Sequence, residues 1–177
     1  GRIPLIIGEP RHPEVMGVAS WSDRSVIFPG PEELEKWLLQ EPSRQSLSLT
    51  AVAQTTCIRR IWETSKEILK KLCTNAKIFD TICSATHRRQ LEAAELAAQA
   101  DVMVVVGDRK SANTKHLAEI CRKACPVVYQ IEQAGELTTG FLSGCTMAGL
   151  TAGASTPAGI IKEVYTTMSE EIKNMEP

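Results

Sequence analysis

The chain has 177 residues, 43% of them hydrophobic and 23% charged, which suits one or two compact domains with their own cores. The formal net charge is −1 and no run of Lys and Arg exceeds two residues, so the charge pattern argues against a broad nucleic-acid-binding surface. No apolar run approaches the roughly 20 residues that span a bilayer, and the first residues lack a secretory signal. We therefore expect a soluble, cytoplasmic protein that binds small molecules or other proteins.

The six cysteines are scattered through helix and strand patterns, and no two of them form a Cys-x-x-Cys pair. They lie at positions 57, 73, 83, 121, 125 and 145. We expect reduced thiols, and any metal site must be assembled from residues that are distant in sequence.

The first predicted strand is the apolar run over residues 3–8. It leads into residues 9–17, where two prolines predict a rigid loop without regular structure that holds His12 and Glu14 close together. Rigid loops often carry function, but a His/Glu pair framed by prolines can equally be surface decoration. The residues alone leave both interpretations open.

A short strand over residues 25–28 and a helix through Gln40 form a unit that looks purely structural. Residues 47–53 then alternate as a strand does, and Gln54-Thr55-Thr56 precedes a helix with an apolar stripe of period near 3.6. A hydroxyl at this point is usually a helix cap. That role explains one threonine and leaves the other without an explanation.

Cys83 follows the short apolar run 76–79, interpreted as an internal strand, and precedes an Ala/Leu-rich helix that reaches Ala98. Ligands of open α/β sheets bind at the carboxyl ends of strands, and a thiolate there also meets the positive end of the next helix. Cys83 is thus a candidate ligand. A lone cysteine after a strand can also be a small buried hydrophobic residue.

Val102–Val106 is the clearest buried parallel strand, and it ends in a polar turn that contains Ser111 and Asn113 before the next helix. Two further strands are predicted over residues 126–131 and 147–150.

The last predicted helix follows the turn 151–157. Pro157 suits its first position, which makes Thr156 the expected cap and leaves Ser155 available for a ligand.

The alternation of strand, polar turn and helix predicts an α/β fold of two similar sub-domains with parallel sheets flanked by helices. We place the domains at 1–75 and 76–150, with a C-terminal loop and helix over 151–177. The polar side chains gather where strands end or helices begin, which suits an anion such as phosphate. Neither a P-loop nor a Gly-x-Gly-x-x-Gly after a strand is present.

Five motifs, taken in order, resemble the 4-hydroxy-3-methylbut-2-enyl diphosphate reductase family. They are His-Pro-Glu-Val at 12–15, Gln-Thr-Thr at 54–56, Thr-Ile-Cys-Ser-Ala-Thr at 81–86, Ser-Ala-Asn-Thr at 111–114 and Thr-Ala-Gly-Ala-Ser-Thr-Pro at 151–157. The resemblance implies two of the three similar α/β domains that surround a 4Fe-4S cluster and enclose a diphosphate substrate. It also implies that the chain is truncated at its N-terminus and lacks the first domain.

By this resemblance Cys83 is one of three cysteine ligands of the cluster, and the other two precede the chain. His12 would contact the diphosphate, Glu14 would deliver protons, and Thr55 would belong to the hydrogen-bond relay at the substrate hydroxyl. The remaining substrate-binding residues implied are Ser111, Asn113 and Ser155, as donors to the diphosphate oxygens. Ala112 stands where the family often has a second serine, and Ser20 where it often has glycine.

The implied reaction is reductive dehydroxylation of 4-hydroxy-3-methylbut-2-enyl diphosphate to isopentenyl and dimethylallyl diphosphate, with electrons from a ferredoxin or flavodoxin. The alternative is a catalytically incomplete fragment or interaction module that retains part of a diphosphate-binding site. Some family members continue into RNA-binding S1 repeats, and only such a fusion would add a nucleic-acid partner.

Overall fold

The computed structural model describes residues 1–175, which form two units that divide between His87 and Arg88. The strands are β1 (Ile3–Ile7), β2 (Val26–Phe28), β3 (Leu49–Ala53), β4 (Ala76–Phe79), β5 (Val102–Val106), β6 (Val127–Ile131) and β7 (Ala148–Ala152). The helices are α1 (Pro13–Ala19), α2 (Pro31–Gln40), α3 (Arg59–Leu72), α4 (Ser84–Ala97), α5 (Ala112–Arg122) and α6 (Ala158–Met175), with 3-10 turns at Pro42–Ser46 and Ala134–Glu136. Within residues 1–175, no helix is both long and apolar enough to cross a membrane.

The first unit is built on a parallel sheet with strand order β2-β1-β3-β4. Alternate residues of the two central strands, such as Leu5 and Leu49, are fully buried against one face. Helices α2 and α3 cover that face, and the largest side chain in the core is the fully buried Trp62 of α3. The 3.6-residue periodicity of α3 therefore predicted its buried stripe correctly.

The second unit is built on a parallel sheet with strand order β6-β5-β7. Every residue of β5 is buried because the strand packs on both faces. Met103 and Val105 lie in a core with α4 and α5, whereas Val104 and Val106 lie in a second core that includes α6. The uninterrupted apolar run predicted this doubly covered strand, and the α/β prediction with two helix-flanked parallel sheets is confirmed.

The structure corrects the predicted position of the boundary between the sub-domains. β4 pairs in parallel with β3, with Val52 opposite Phe79, so it belongs to the first sheet and the division falls inside α4. β4 is also an edge strand, not an internal one, and Phe79 is 53% exposed. The predicted segment 151–177 begins within β7, and residues 176 and 177 lie outside the described residues.

The stretch predicted as a rigid loop contains a helix, because α1 begins at Pro13. Proline is compatible with the first helical turn, where no backbone N–H is needed for an intrahelical bond. His12 precedes it as the N-cap residue, and its side chain accepts a hydrogen bond from the backbone N–H of Glu14. The prediction failed because proline was interpreted as a helix breaker where it starts a helix.

Asp101 fixes the start of β5 against the residues that lead into β7. Its Oδ2 accepts hydrogen bonds from Thr146 N at 2.8 Å, Thr146 Oγ1 at 2.9 Å and Met147 N at 3.0 Å. The backbone bonds from Thr146 and Met147, followed by the Thr146 hydroxyl, hold the pKa of Asp101 below its ordinary value of 3.8. Because folding lowers this pKa, the stabilisation is present above pH 3.8 and is lost as the pH falls through the lowered pKa.

We expect Asp101→Asn to lower the melting temperature near pH 7, and we expect this difference from wild type to shrink by about pH 3. Thermal unfolding at both pH values tests the prediction, with exposed Asp23→Asn as the matched control. An equal difference at the two pH values would contradict it.

Candidate functional site

A carboxylate from α1 meets a hydroxyl from the β3–α3 turn in the first unit. Glu14 Oε1 accepts the backbone N–H of Thr55 at 2.7 Å, and Glu14 Oε2 accepts the Thr55 hydroxyl at 2.9 Å. The two turns meet because β1 and β3 are parallel neighbours whose carboxyl ends lie at the same edge of the sheet. Glu14 is half-buried and Thr55 is exposed, so this pair can exchange a proton with a bound molecule.

His12 lies beside this pair, two residues before Glu14. Its Nδ1 accepts the backbone N–H of Glu14 at 3.2 Å. A ring nitrogen that accepts a hydrogen bond carries no proton, so the neutral imidazole has its proton on Nε2. His12 can therefore donate from Nε2 to an anion while its Nδ1 caps α1.

Gln54 was noted in the sequence only as part of a motif, and the structure gives it a bracing role. It is 2% exposed, its Oε1 accepts the N–H of Glu9 at 2.9 Å, and its Nε2 donates to Thr56 Oγ1 at 3.0 Å. A Cβ atom on Gly8 would lie 2.8 Å from Gln54 Oε1, so glycine leaves the space that this amide fills. Gln54 thus joins the turns that carry Glu14 and Thr55.

The threonines after Gln54 do not cap α3. That helix begins at Arg59, with Ile58 in the cap position and no side-chain cap bond. The capping hypothesis for this motif is wrong, because Thr55 is engaged by Glu14 and Thr56 by Gln54. The sequence signal for the role of Gln54 was its position, as a polar residue directly after an alternating strand.

Cys83 is exposed at the start of α4, so the alternative of a small buried hydrophobic residue is wrong. Thr81 holds the preceding turn by accepting the N–H of Ala53 at 2.9 Å. The backbone N–H of Cys83 donates to Thr55 O at 2.9 Å, and its carbonyl accepts the N–H of His87 to begin the helix. Cys83 and the Glu14–Thr55 pair therefore lie at one end of one sheet.

The described residues do not fit a complete iron–sulfur cluster by themselves. Among residues 1–175, no group of three or more His, Cys, Asp or Glu side chains could hold a metal ion. Cys57, close in sequence to Thr55, is buried, and burial raises the pKa of its thiol to about 12, which disfavours the thiolate that a metal requires. Burial also raises the pKa of the half-buried Cys73 thiol, so the exposed Cys83 is the thiol of the first unit that best suits a ligand.

Ser111 and Asn113 lie at the N-terminus of α5 in the second unit. Ser111 is the N-cap residue, and its Oγ accepts the N–H of Thr114 at 3.4 Å. Asn113 is 4% exposed, and neither its Oδ1 nor its Nδ2 has a hydrogen-bond partner among the described residues. A buried polar group without a partner costs about 1–3 kcal/mol, so the amide of Asn113 is a candidate for contact with a ligand. Ala112 between them is buried and offers no side-chain donor.

Ser155 is exposed in the turn between β7 and α6, and its hydroxyl makes no hydrogen bond among the described residues. The expected cap, Thr156, instead donates its hydroxyl to Val106 O at 3.0 Å. α6 begins one residue later than predicted, at Ala158, and the carbonyl of Pro157 accepts its first helical bonds. The Thr156 cap is therefore wrong, whereas Ser155 is free of a structural bond, as its predicted role requires.

Comparisons with family models and with curated proteins point to the same family. A model described as LytB protein matches residues 1–169. A curated relative from Caldanaerobacter subterraneus subsp. tengcongensis, named 4-hydroxy-3-methylbut-2-enyl diphosphate reductase, is 41% identical over 97% of this chain and 57% of its own length. Relatives of the same name from Geobacter sulfurreducens and Clostridium tetani are 39% and 38% identical over 96% of the chain, and are covered over 58% and 26% of their lengths.

Two solved structures agree with these relatives. A structure of (E)-4-hydroxy-3-methyl-but-2-enyl diphosphate reductase is 30% identical, with a TM-score of 0.52 over 96% of this chain and 60% of the other. The Plasmodium falciparum reductase has a TM-score of 0.83 at 24% identity, over 94% of this chain and 52% of the other, and supports the fold alone. The chain spans little more than half of the first relatives' length. The family match over residues 1–169 shows that the chain belongs to the LytB protein family.

Proposed function

We propose that this chain is part of a 4-hydroxy-3-methylbut-2-enyl diphosphate reductase, in which it supplies a proton relay, diphosphate donors and one cluster thiolate. The contact between Glu14 and Thr55 carries the proposal, because residues from two separate motifs form a paired carboxyl and hydroxyl. Relatives of that name, matched over nearly the whole chain, support it.

The reaction replaces an allylic C–O bond with a C–H bond, takes up two electrons and two protons, and releases water. Glu14 and Thr55 supply the proton that leaves with the hydroxyl group as water. Thr55 holds the substrate hydroxyl through its own hydroxyl. Once Glu14 has taken a proton from solvent, its carboxyl group donates to the Thr55 oxygen along the same contact, and the Thr55 hydroxyl gives its proton to the leaving oxygen as the C–O bond breaks. Backbone donation from Thr55 to Glu14 keeps the carboxyl group oriented toward the relay.

In each unit the donors proposed for a diphosphate are short neutral side chains and not a run of cations. In the first unit His12 donates from Nε2, since its Nδ1 is bonded to Glu14 N. In the second unit Ser111, Asn113 and Ser155 donate, and the N-terminus of α5 adds a favourable dipole. The unpartnered amide of Asn113 supports this assignment within the second unit.

Cys83 would supply one thiolate to the 4Fe-4S cluster that the family resemblance implies. The described residues do not complete such a site, so the steps above involve only this chain's own side chains. A ferredoxin or flavodoxin as electron donor and a cytoplasmic location stay predictions.

The proposed activity is tested with the complete reductase, its substrate and a one-electron reductant under anaerobic conditions, followed by separation of the products. Formation of isopentenyl and dimethylallyl diphosphate supports the proposal. Unchanged substrate with a loaded, folded enzyme overturns it.

Ser155→Ala is expected to weaken binding of inorganic diphosphate about tenfold, because one hydrogen bond to a charged ligand is lost. The melting temperature should stay close to that of wild type, since the Ser155 hydroxyl has no structural bond among the described residues. Calorimetric titration and thermal unfolding measure the two effects. Ser169→Ala, which removes an exposed hydroxyl from α6, is the matched control. A lower melting temperature with unchanged affinity would contradict the assignment.

A further inference from the structure

Two glycines and two threonine hydroxyls interlock at the carboxyl ends of β5 and β7. We call this set, Gly107, Thr114, Gly153 and Thr156, the glycine–hydroxyl lock. A Cβ atom on Gly107 would lie 2.7 Å from the Oγ1 atoms of both threonines. A Cβ atom on Gly153 would overlap Thr114 Oγ1 and lie 3.2 Å from Thr156 Oγ1. Since real Cβ atoms essentially never approach another heavy atom within 3.0 Å, the threonine hydroxyls occupy space that only glycine leaves open.

The Thr114 hydroxyl is the unusual member of the lock. Thr114 is 1% exposed, and its Oγ1 has no hydrogen-bond partner among the described residues. The direction of a Cβ atom on glycine is also the direction of one Hα, so Gly107 and Gly153 each aim a C–H group at this oxygen. A buried hydroxyl without a conventional partner destabilises a fold, so stability alone does not explain a threonine here.

The lock joins the two turns that carry the anion donors of the second unit. Gly107 begins the turn that leads to Ser111 and Asn113, and Gly153 begins the turn that carries Ser155. The N–H of Gly153 donates to Val106 O at 2.9 Å, which brings the second turn against the end of β5. An added Cβ atom in the lock would therefore push the two donor-bearing turns apart.

We propose that Thr114 is a positioning residue for the diphosphate: packed between Gly107 and Gly153, it sets the spacing of the donor-bearing turns without touching the ligand. This inference rests on the proposed diphosphate site of the second unit. Hydrogen-bond donors act only within a narrow range of distance and angle, so a shift of about 1 Å removes much of their effect.

Gly153→Ala tests the lock directly. Gly153 does not have a positive φ, so its backbone accepts alanine and any effect comes from the added Cβ atom, whereas Gly107 has a φ of 147° that strains any side chain. We expect Gly153→Ala to weaken binding of inorganic diphosphate by the full chain at least about tenfold, measured by calorimetry well below the unfolding transition.

Adding Thr114→Ala removes Thr114 Oγ1, the atom that the new Cβ atom would overlap, and leaves Thr156 Oγ1 at 3.2 Å. We expect the double variant to recover most of the affinity that Gly153→Ala loses, which makes the two substitutions energetically coupled. Wild-type affinity in Gly153→Ala, or a double variant that binds no better than Gly153→Ala, would overturn the inference.

A second pair of variants keeps the glycines unchanged. Thr114→Ser retains the oxygen and is expected to bind diphosphate like wild type. Thr114→Val replaces the oxygen with a larger methyl group and is expected to bind at least about fivefold more weakly at a temperature where it is fully folded. A purely structural residue would change the melting temperature and leave the affinity of the folded protein unchanged, and that result overturns the proposal.

Gly159→Ala is the matched control, because a Cβ atom there meets nothing within 4 Å. Its affinity should equal that of wild type. If the wild-type chain binds no inorganic diphosphate, the proposed site of the second unit is wrong and the lock has no such role. If the wild type binds but the lock variants are uncoupled, only the positioning role of Thr114 is wrong.

Discussion

Glu14→Gln in the complete reductase is expected to lower kcat by about 10²- to 10⁴-fold, the usual loss when a positioned general acid is removed. Glutamine has nearly the same shape, but its amide cannot deliver a proton near neutral pH. Thr55 donates both its N–H and its hydroxyl to the carboxylate of Glu14. In the glutamine variant, the NH₂ group would replace one of the two accepting oxygens and would face one of these donors. Binding of the diphosphate should be spared, because its donors are other side chains.

Separate measurement of kcat and of diphosphate affinity distinguishes lost chemistry from lost binding. Glu35→Gln, an exposed carboxyl on α2, is the matched control and should behave like wild type. Thr55→Ser should retain most of the activity, since it keeps the hydroxyl of the relay. A Glu14→Gln enzyme within about twofold of the wild-type rate would remove Glu14 from the proton relay.

The 177-residue chain by itself is expected to bind far less than one 4Fe-4S cluster per molecule after anaerobic reconstitution. Such clusters are held by several thiolates. Cys83 is the thiol exposed beside the Glu14–Thr55 pair, and no metal-binding group of three side chains occurs within residues 1–175. The chain alone would then behave as a catalytically incomplete fragment, which is the alternative that the sequence left open.

Iron and sulfide analysis together with electron paramagnetic resonance measures the outcome. Cys73→Ser is the matched control for Cys83→Ser, because both remove a single thiol. A stoichiometric 4Fe-4S signal that disappears only in Cys83→Ser would mean that other side chains of this chain complete the site, and the incomplete-fragment interpretation would be wrong.

Local patterns predicted the elements whose environment is uniform along the chain. β5 is a run of apolar residues buried on both faces, and α3 carries one apolar stripe, so each pattern had one structural solution. β4 was misjudged because a four-residue apolar run does not indicate how many neighbours a strand has. The boundary between the units depended on that pairing, which is a property of the sheet and not of the segment.

Some residues of the candidate site could also be predicted from the sequence, whereas others could not. Residue type and position after strands identified Glu14, Thr55, Cys83 and Asn113 as candidates, because functional side chains gather at these turns. The brace by Gln54 and the proposed role of Thr114 could not be predicted, since each depends on a glycine from another segment that leaves space for a side chain. A contact between a glycine and a distant side chain can be recognised only when the positions of both backbone segments are known.

The strand orders also affect how the chain folds as it is synthesised. In each unit an inner strand comes first among the described strands: β1 precedes its partners β2 and β3, and β5 precedes β6 and β7. The ribosome adds roughly 5–20 residues per second, so several seconds pass between the emergence of these apolar strands and the emergence of both strands that pair with them. Folding intermediates of each unit therefore expose an apolar strand that is prone to aggregation. We expect nascent chains to depend on chaperones until the last partner strand emerges.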